Sequence, residues 1–136
     1  MQVEQVDFVS VPTRDITRAL SFYRDVLGLP ESEYSEGELE APNVTLSFWA
    51  PEADGDEFQA NTAGIGLRVE DVEAAVEEFR AAGGEVIGIE DSGVCHMGFV
   101  KDPDGNVLIL HYRGRSRIWR GRLAFPCSTD YRAAFD

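Results

Sequence analysis

One supersecondary pattern occurs twice in this chain, and the second copy follows 56 residues after the first. Each copy opens with an apolar run, at residues 6–11 and 64–69, and each run is followed by an Asp, a helical apolar pattern and a Gly. The two Asp residues, Asp15 and Asp71, can accept hydrogen bonds from the first free N–H groups of a helix. Because each copy must bury its apolar face against a neighbour, this duplication limits the possible folds more than any single motif.

Both copies continue into segments rich in β-forming residues. Residues 31–41 predict two short exposed strands and residues 44–49 a third, while residues 85–89, 94–100 and 107–112 predict three strands in the second copy. The turn sequence at residues 102–106 places Pro103 and Gly105 where a type I hairpin turn favours them. We therefore expect an α+β fold of two tandem βαβββ units, residues 3–50 and 62–113 with a linker at 51–61. Together they form a curved mixed sheet or half-barrel with a cavity.

Composition limits the partners and the compartment. The 136 residues carry a formal charge of −13, which disfavours nucleic acid and anionic membrane surfaces as partners. The sequence has neither an apolar membrane span nor a signal peptide pattern, so a cytoplasmic location is expected. Cys95 and Cys127 lie outside any C-x-x-C pattern, which argues against a disulfide framework or a zinc site.

The C-terminal segment at residues 114–136 differs from the rest of the chain in charge. Counted from Arg113, the end of the chain holds six Arg and two Asp, with Trp119 and Phe125 among them. Three interpretations stay open: an arm that docks on an acidic surface of its own or a partner subunit, a disordered appendage, or an added extension.

The order of elements and two motifs resemble the vicinal oxygen chelate superfamily, which includes glyoxalase I, bleomycin-resistance proteins and extradiol dioxygenases. The motifs are Asp15-x3-Ala19-x2-Phe22-Tyr23-x3-Leu27-Gly28-Leu29 and Asp102-Pro103-Asp104-Gly105-Asn106. The resemblance covers about residues 3–113 and implies the glyoxalase/bleomycin-resistance fold. The motifs themselves are interpreted as helix packing and turn geometry, and one fold carries many chemistries.

The resemblance also implies four positions at which metal-binding members of the superfamily place their ligands. In this sequence those positions fall on Phe8, Ser47, Gly64 and Ile109. These residues offer one weak hydroxyl donor, so no metal and no cofactor are expected. Metal-dependent glyoxalase or dioxygenase activity is then not expected, and the sequence is more similar to the metal-free bleomycin-resistance members.

Alternation along the strands predicts which residues face the cavity. The ligand-binding candidates are Phe8, Ser10, Ser47, Trp49, Arg68, Phe99, Ile109 and His111, with Thr45, Gly66, Cys95 and Met97 on the same faces. This set is mostly apolar and aromatic, as in pockets for small organic ligands. The main hypothesis is a metal-free, homodimeric protein that binds a small organic ligand, aromatic or antibiotic, in the cavity between its units.

Two alternatives use the same residues differently. In the first, the protein is a lyase or isomerase in which His111 acts as an acid or base, with or without Cys95 as a nucleophile. In the second, side chains fill the cavity and the protein has a structural or regulatory role.

Overall fold

The computed structural model describes residues 1–91 and 95–113, and the predicted C-terminal segment lies outside the described residues. The elements follow the duplicated pattern. The first copy contains β1 (Phe8–Pro12), α1 (Ile16–Asp25), β2 (Glu38–Glu40) and β3 (Thr45–Trp49). The second contains β4 (Ile65–Arg68), α2 (Val72–Ala81), β5 (Glu85–Asp91), β6 (Cys95–Lys101) and β7 (Val107–Arg113). The expected α+β class is confirmed by these two mixed sheets with few helices, neither of which closes into a barrel.

Both helices begin at the Asp residues that the sequence indicated. The Asp15 carboxylate accepts a hydrogen bond from the Arg18 N–H, and the Asp71 carboxylate accepts one from the Ala74 N–H, each at 3.0 Å. Each helix is ten residues long. After α1 the backbone turns through Gly28 at a φ of 71°, a left-handed conformation that favours glycine.

The chain forms two compact units. The first comprises Met1–Ala63 together with Asp102–Asn106, and the second comprises Gly64–Lys101 and the chain from Val107. The turn between β6 and β7 therefore belongs to the first unit, although the strands on either side of it belong to the second.

The sheet of the first unit has the order β1-β3-β2, with β1 parallel and β2 antiparallel to β3. Its apolar face is buried with residues of α1, and its core includes Val11, Ala19, Tyr23, Leu39 and Leu46. One element is smaller than predicted, because the first strand expected in residues 31–41 is a single bridge between Glu31 and Leu39. The acidic residues around Glu31 supply little apolar surface for a longer pairing.

The turn at Asp102–Asn106 supplies polar contacts inside the first unit. The Tyr23 hydroxyl donates to the Asp102 carboxylate at 2.7 Å, and the Thr13 hydroxyl donates to the Asp104 carboxylate at 2.6 Å. The Asn106 side chain donates to the Pro12 carbonyl at 2.8 Å. The structural interpretation of these motif residues thus agrees with their contacts.

Burial is the largest cause that raises the pKa of Tyr23 well above its usual value, and the Asp102 charge adds to it. The phenol therefore stays protonated and keeps donating to Asp102.

The sheet of the second unit has the order β4-β7-β6-β5, with β4 parallel to β7 and the other pairs antiparallel. Helix α2 covers one face of this sheet closely. A Cβ at Gly98 of β6 would lie 3.2 Å from a methyl group of Val72 and closer still to one of Val76. The backbone of β6 can approach the helix only because residue 98 has no side chain.

Candidate functional site

Each sheet has one face that its own helix does not cover, and we call these the first and second open faces. The first open face is defined by strand register. Three rows of neighbouring residues cross the strands on this face. They are Phe8, Thr45 and Glu40; then Ser10, Ser47 and Glu38; and then Pro12 and Trp49. The intervening residues Val11, Leu46 and Leu39 are buried on the opposite face. The alternation that predicted Phe8, Ser10, Thr45, Ser47 and Trp49 on one face is correct.

The first open face carries two exposed aromatic rings. Phe8 is 57% exposed and Trp49 is 45% exposed. The Trp49 indole N–H donates to the Asp54 carboxylate at 2.8 Å, which limits the orientation of the ring. The Trp49 ring, held in this way, offers a flat apolar surface at low entropic cost.

Two carboxylates on this face were missed by the sequence interpretation. Glu38 and Glu40 flank the buried Leu39 on β2, so both side chains point to the open side of the sheet. The Thr45 hydroxyl donates to the Glu40 carboxylate at 2.7 Å, which places that group on the open face. The polar–apolar–polar alternation of residues 38–40 carried this signal, but the segment was interpreted only as acidic and exposed.

The second open face contains the remaining predicted residues. Gly66 pairs with Ile109 and Arg68 with His111 across β4 and β7, while Ile109 pairs with Phe99 and His111 with Met97 across β7 and β6. Gly98, at the intervening position of β6, faces α2 instead. The predicted sharing of one face by these residues is again correct within the unit.

Exposure differs sharply across the second open face. Phe99 is fully buried and Met97 nearly so, whereas Arg68 is exposed and His111 is half-buried. Side chains at the centre of this face therefore contribute to packing. Arg68 is exposed at the end of β4, whereas the Nε2 atom of His111 is buried. A guanidinium beside an imidazole suits a carboxylate or phosphate group.

The predicted partnership of His111 with Cys95 receives only partial support. Cys95 pairs with Arg113 and His111 with Met97, so the two residues are diagonal neighbours on adjacent strands. However, Cys95 is buried and disulfide-bonded in this structure, a bond that the spacing of the two cysteines did not lead us to expect. A nucleophilic role for Cys95 needs a free thiolate, so it stays a prediction for the reduced protein.

The four positions implied as metal ligands do not fit a divalent cation. Phe8 and Ile109 have hydrocarbon side chains, and Ser47 supplies one hydroxyl. Gly64 has a φ of 93°, a backbone conformation that residues with a ligating side chain rarely adopt. Among residues 1–91 and 95–113, no three His, Cys, Asp or Glu side chains gather around a possible cation position.

The fold and motifs are those of one superfamily. The model of the Glyoxalase/Bleomycin resistance protein/Dioxygenase superfamily matches residues 5–110, and the chain belongs to this superfamily. It is 33% identical over 112 residues to a lactoylglutathione lyase of Haemophilus influenzae, covering 67% of this chain and 79% of that protein. It is 28% identical to a probable lactoylglutathione lyase of Vibrio parahaemolyticus, covering 71% of this chain and 81% of that protein.

Solved structures share the fold at low sequence identity. An antibiotic binding protein from a Streptomyces species superposes with a TM-score of 0.66 at 23% identity, covering 84% of this chain and 99% of that one. A lactoylglutathione lyase from Agrobacterium tumefaciens superposes with a TM-score of 0.67 at 16% identity, covering 82% and 95%. Proteins with catalytic and with binding names thus share this fold.

Within the described residues, no helix is long and apolar enough to cross a bilayer.

Proposed function

We propose that this protein is a metal-free binding protein for a small organic ligand that carries a flat aromatic group. The observation that supports the proposal most is the first open face, where Phe8 and Trp49 are both exposed on one side of a sheet. The two rings lie at opposite ends of this face, four residues apart along the strands and thus roughly 13 Å from each other, so each offers a separate apolar surface among polar side chains. A flat ligand stacked on either ring would remove apolar surface from water, and the hydroxyls of Ser10 and Ser47 supply hydrogen bonds beside it.

The residues at the four implied metal positions support the metal-free part of the proposal. A donor set of one hydroxyl cannot hold a first-row cation against water. Elemental analysis of protein purified without chelator tests this directly. We expect less than stoichiometric zinc, nickel, iron or manganese, and one equivalent of any of them would overturn the metal-free proposal.

The binding part is tested by a thermal-shift screen of planar aromatic compounds, followed by calorimetric titration of the hits. We expect Trp49→Ala to weaken binding of a hit about 10-fold, since loss of one stacked ring removes roughly 1–1.5 kcal/mol beyond area burial. Tyr112→Ala is the matched control, because Tyr112 is 41% exposed, close to the value for Trp49, and lies on β7 of the second unit. A screen without hits, or equal losses in both variants, would count against binding at this face.

A second candidate function is that of a lyase, which the names of the relatives favour. His111 lies beside Arg68 on the second open face. In this arrangement His111 acts as acid or base while Arg68 holds a substrate carboxylate. The test is an assay for lactoylglutathione lyase activity, in which His111→Ala should lower kcat about 100-fold or more and the control His96→Ala should leave it near wild type. An inactive wild-type protein would remove this candidate.

Four expectations stay predictions: the homodimer, the cytoplasmic location, the assignment of residues 1–113 as one domain, and the shared cavity. Sedimentation equilibrium tests the first of these, and a monomer at micromolar concentration would contradict it. The filled-cavity alternative predicts that no small molecule raises the melting temperature.

A further inference from the structure

We infer that the first open face selects an aromatic cation, and that Glu38 is the residue that recognises its positive charge. This inference rests on the proposed binding function and adds to it the charge class of the ligand. It is carried by the placement of Glu38 relative to Trp49 and by the side chains that β1, β2 and β3 direct to this face, none of which is basic.

The carboxylate of Glu38 is positioned for a ligand and has no side-chain partner among the described residues. Glu38 pairs with Ser47, and Trp49 lies two residues beyond Ser47 on the same face of β3. Diagonal neighbours of this kind lie roughly 7–8 Å apart between their Cα atoms. Within residues 1–91 and 95–113, the half-buried Glu38 side chain makes no hydrogen bond or ion pair. A cationic group attached to a ring on Trp49 can therefore reach this carboxylate.

Charge complementarity on this face favours a cation over other ligands. The eight side chains that β1, β2 and β3 direct to this side include two carboxylates and no Lys, Arg or His: Phe8, Ser10, Pro12, Glu38, Glu40, Thr45, Ser47 and Trp49. Glu38 and Glu40 are two residues apart on one strand, so their charges repel at roughly 7 Å. A bound cation relieves this repulsion, whereas a bound anion increases it.

The aromatic ring adds a second preference for positive charge. Cations are attracted to the negative face of an indole, and the bond from the Trp49 N–H to Asp54 leaves an acidic group at the edge of the ring. The ring and the carboxylate thus act on the same ligand through different atoms. A neutral aromatic compound keeps only the stacking part of this recognition.

The test uses three probes that share one ring system and differ in charge: N-methylacridinium, neutral acridine and acridine carboxylate. Fluorescence titrations at about pH 8 and low salt compare their affinities for the full-length protein. We expect N-methylacridinium to bind about 10-fold more tightly than acridine, and acridine carboxylate to bind most weakly. Added salt should reduce the preference for the cation, because exposed charges are screened.

The role of Glu38 is tested with a charge-matched control. Glu38→Gln should weaken N-methylacridinium binding about threefold to fivefold and leave acridine binding unchanged. Glu78→Gln is the control, because it removes the same unit of charge from α2. Glu78 is exposed, and its side chain is likewise unpaired within the described chain. This substitution should change neither the affinity for N-methylacridinium nor that for acridine.

The outcomes separate this inference from the function on which it rests. If acridine binds as tightly as N-methylacridinium and Trp49→Ala weakens both, aromatic binding stands and cation selection is wrong. If Glu38→Gln and Glu78→Gln weaken the cation equally, the preference comes from net charge and the role of Glu38 is wrong. If none of the three probes binds, the aromatic binding function fails and the inference fails with it.

Discussion

The two units start from the same plan but secure their helices by different means. In the first unit, α1 is tied by directional polar contacts, with Tyr23 donating to Asp102 and Arg18 forming a 2.7 Å ion pair with Asp104. In the second unit, α2 packs on β6 through apolar contact at Gly98, where the backbone approaches Val76. The duplicated elements therefore share a parallel strand pair, β1 with β3 and β4 with β7, but differ in strand number and in the contacts that hold the helix.

The open faces differ in the same way. The first presents exposed aromatic rings and carboxylates, whereas the second has a buried apolar centre with Arg68 and His111 at one end. The side chains of the two faces thus differ in charge, and each of the following tests either removes or sharpens the contrast between the units.

The largest effect is expected for Asp102→Ala. The Asp102 carboxylate accepts hydrogen bonds from Tyr23, from the side chain of Asn106, and from the backbone N–H groups of Asp104 and Asn106. Its removal leaves several buried donors without a partner, so we expect a loss of about 3 kcal/mol or more in the free energy of unfolding. Urea denaturation followed by circular dichroism measures this loss.

The control for Asp102 is Asp56→Ala, since Asp56 is exposed and its side chain makes no hydrogen bond or ion pair within the described residues. It should stay within about 0.5 kcal/mol of wild type. A loss under 1 kcal/mol for Asp102→Ala would mean that the polar contacts of the turn do not stabilise the first unit.

Gly98→Ala tests the apolar contact of the second unit. The added Cβ would crowd Val76 and Val72, and such overpacking costs about 1–3 kcal/mol. Gly88→Ala is the control on the neighbouring strand, because a Cβ there meets nothing within 4 Å. Equal midpoints of urea denaturation for the two variants would show that α2 can shift to admit the methyl group.

Much of the fold could be predicted because its signals are local. Capping by Asp15 and Asp71, the glycine after α1 and the hairpin turn depend on a few adjacent residues, and the structure places each as expected. The polar contacts of the turn could not be predicted, since Tyr23 and Asp102 lie 79 positions apart. No local pattern indicates which distant group satisfies a buried hydroxyl.

The candidate site was predicted only in part for a related reason. Alternation assigned Phe8, Ser47 and Trp49 to one face, but it could not show which side chains on a face are buried. Phe99 and Cys95 are therefore on the expected face yet inaccessible. Glu38 and Glu40 were missed because a three-residue strand shows only one polar–apolar–polar alternation, which is too short to distinguish it from an exposed acidic loop.

The pH dependence of stability distinguishes the polar unit from the apolar one. The pKa of Tyr23 is raised in the folded protein, chiefly by burial and then by the Asp102 charge. Above about pH 10 the unfolded chain releases the phenol proton while the folded protein retains it. Stability should therefore fall as pH rises beyond that point, by up to about 1.4 kcal/mol per pH unit from this group.

Tyr23→Phe isolates this contribution. Urea denaturation at about pH 9, 10 and 11 measures the free energy of unfolding of wild type and variant. This free energy should fall more steeply with pH for the wild type, so that its advantage over the variant narrows. Parallel curves would mean that Tyr23 does not keep its proton in the folded state.

The smallest effects concern a feature that the two units share. Asp15→Ala and Asp71→Ala each remove one carboxylate that accepts from an N–H group of the first helical turn. Both bonds measure 3.0 Å and both helices have ten residues, so each substitution should cost about 1 kcal/mol. Asp15→Asn and Asp71→Asn, which keep an acceptor oxygen, should recover most of the loss.

Equal losses in the free energy of unfolding would mean that the two helix caps stabilise their helices to the same extent. The units would then differ only in the polar and apolar contacts described above. A markedly larger cost for Asp15→Ala in urea denaturation would instead mean that the cap and the polar contacts are coupled. Arg18 links the two interactions, because its backbone N–H donates to Asp15 and its guanidinium forms an ion pair with Asp104. The double variant Asp15→Ala with Asp104→Ala then measures that coupling. Its size is the difference between the loss in the free energy of unfolding of the double variant and the sum of the losses of the two single variants.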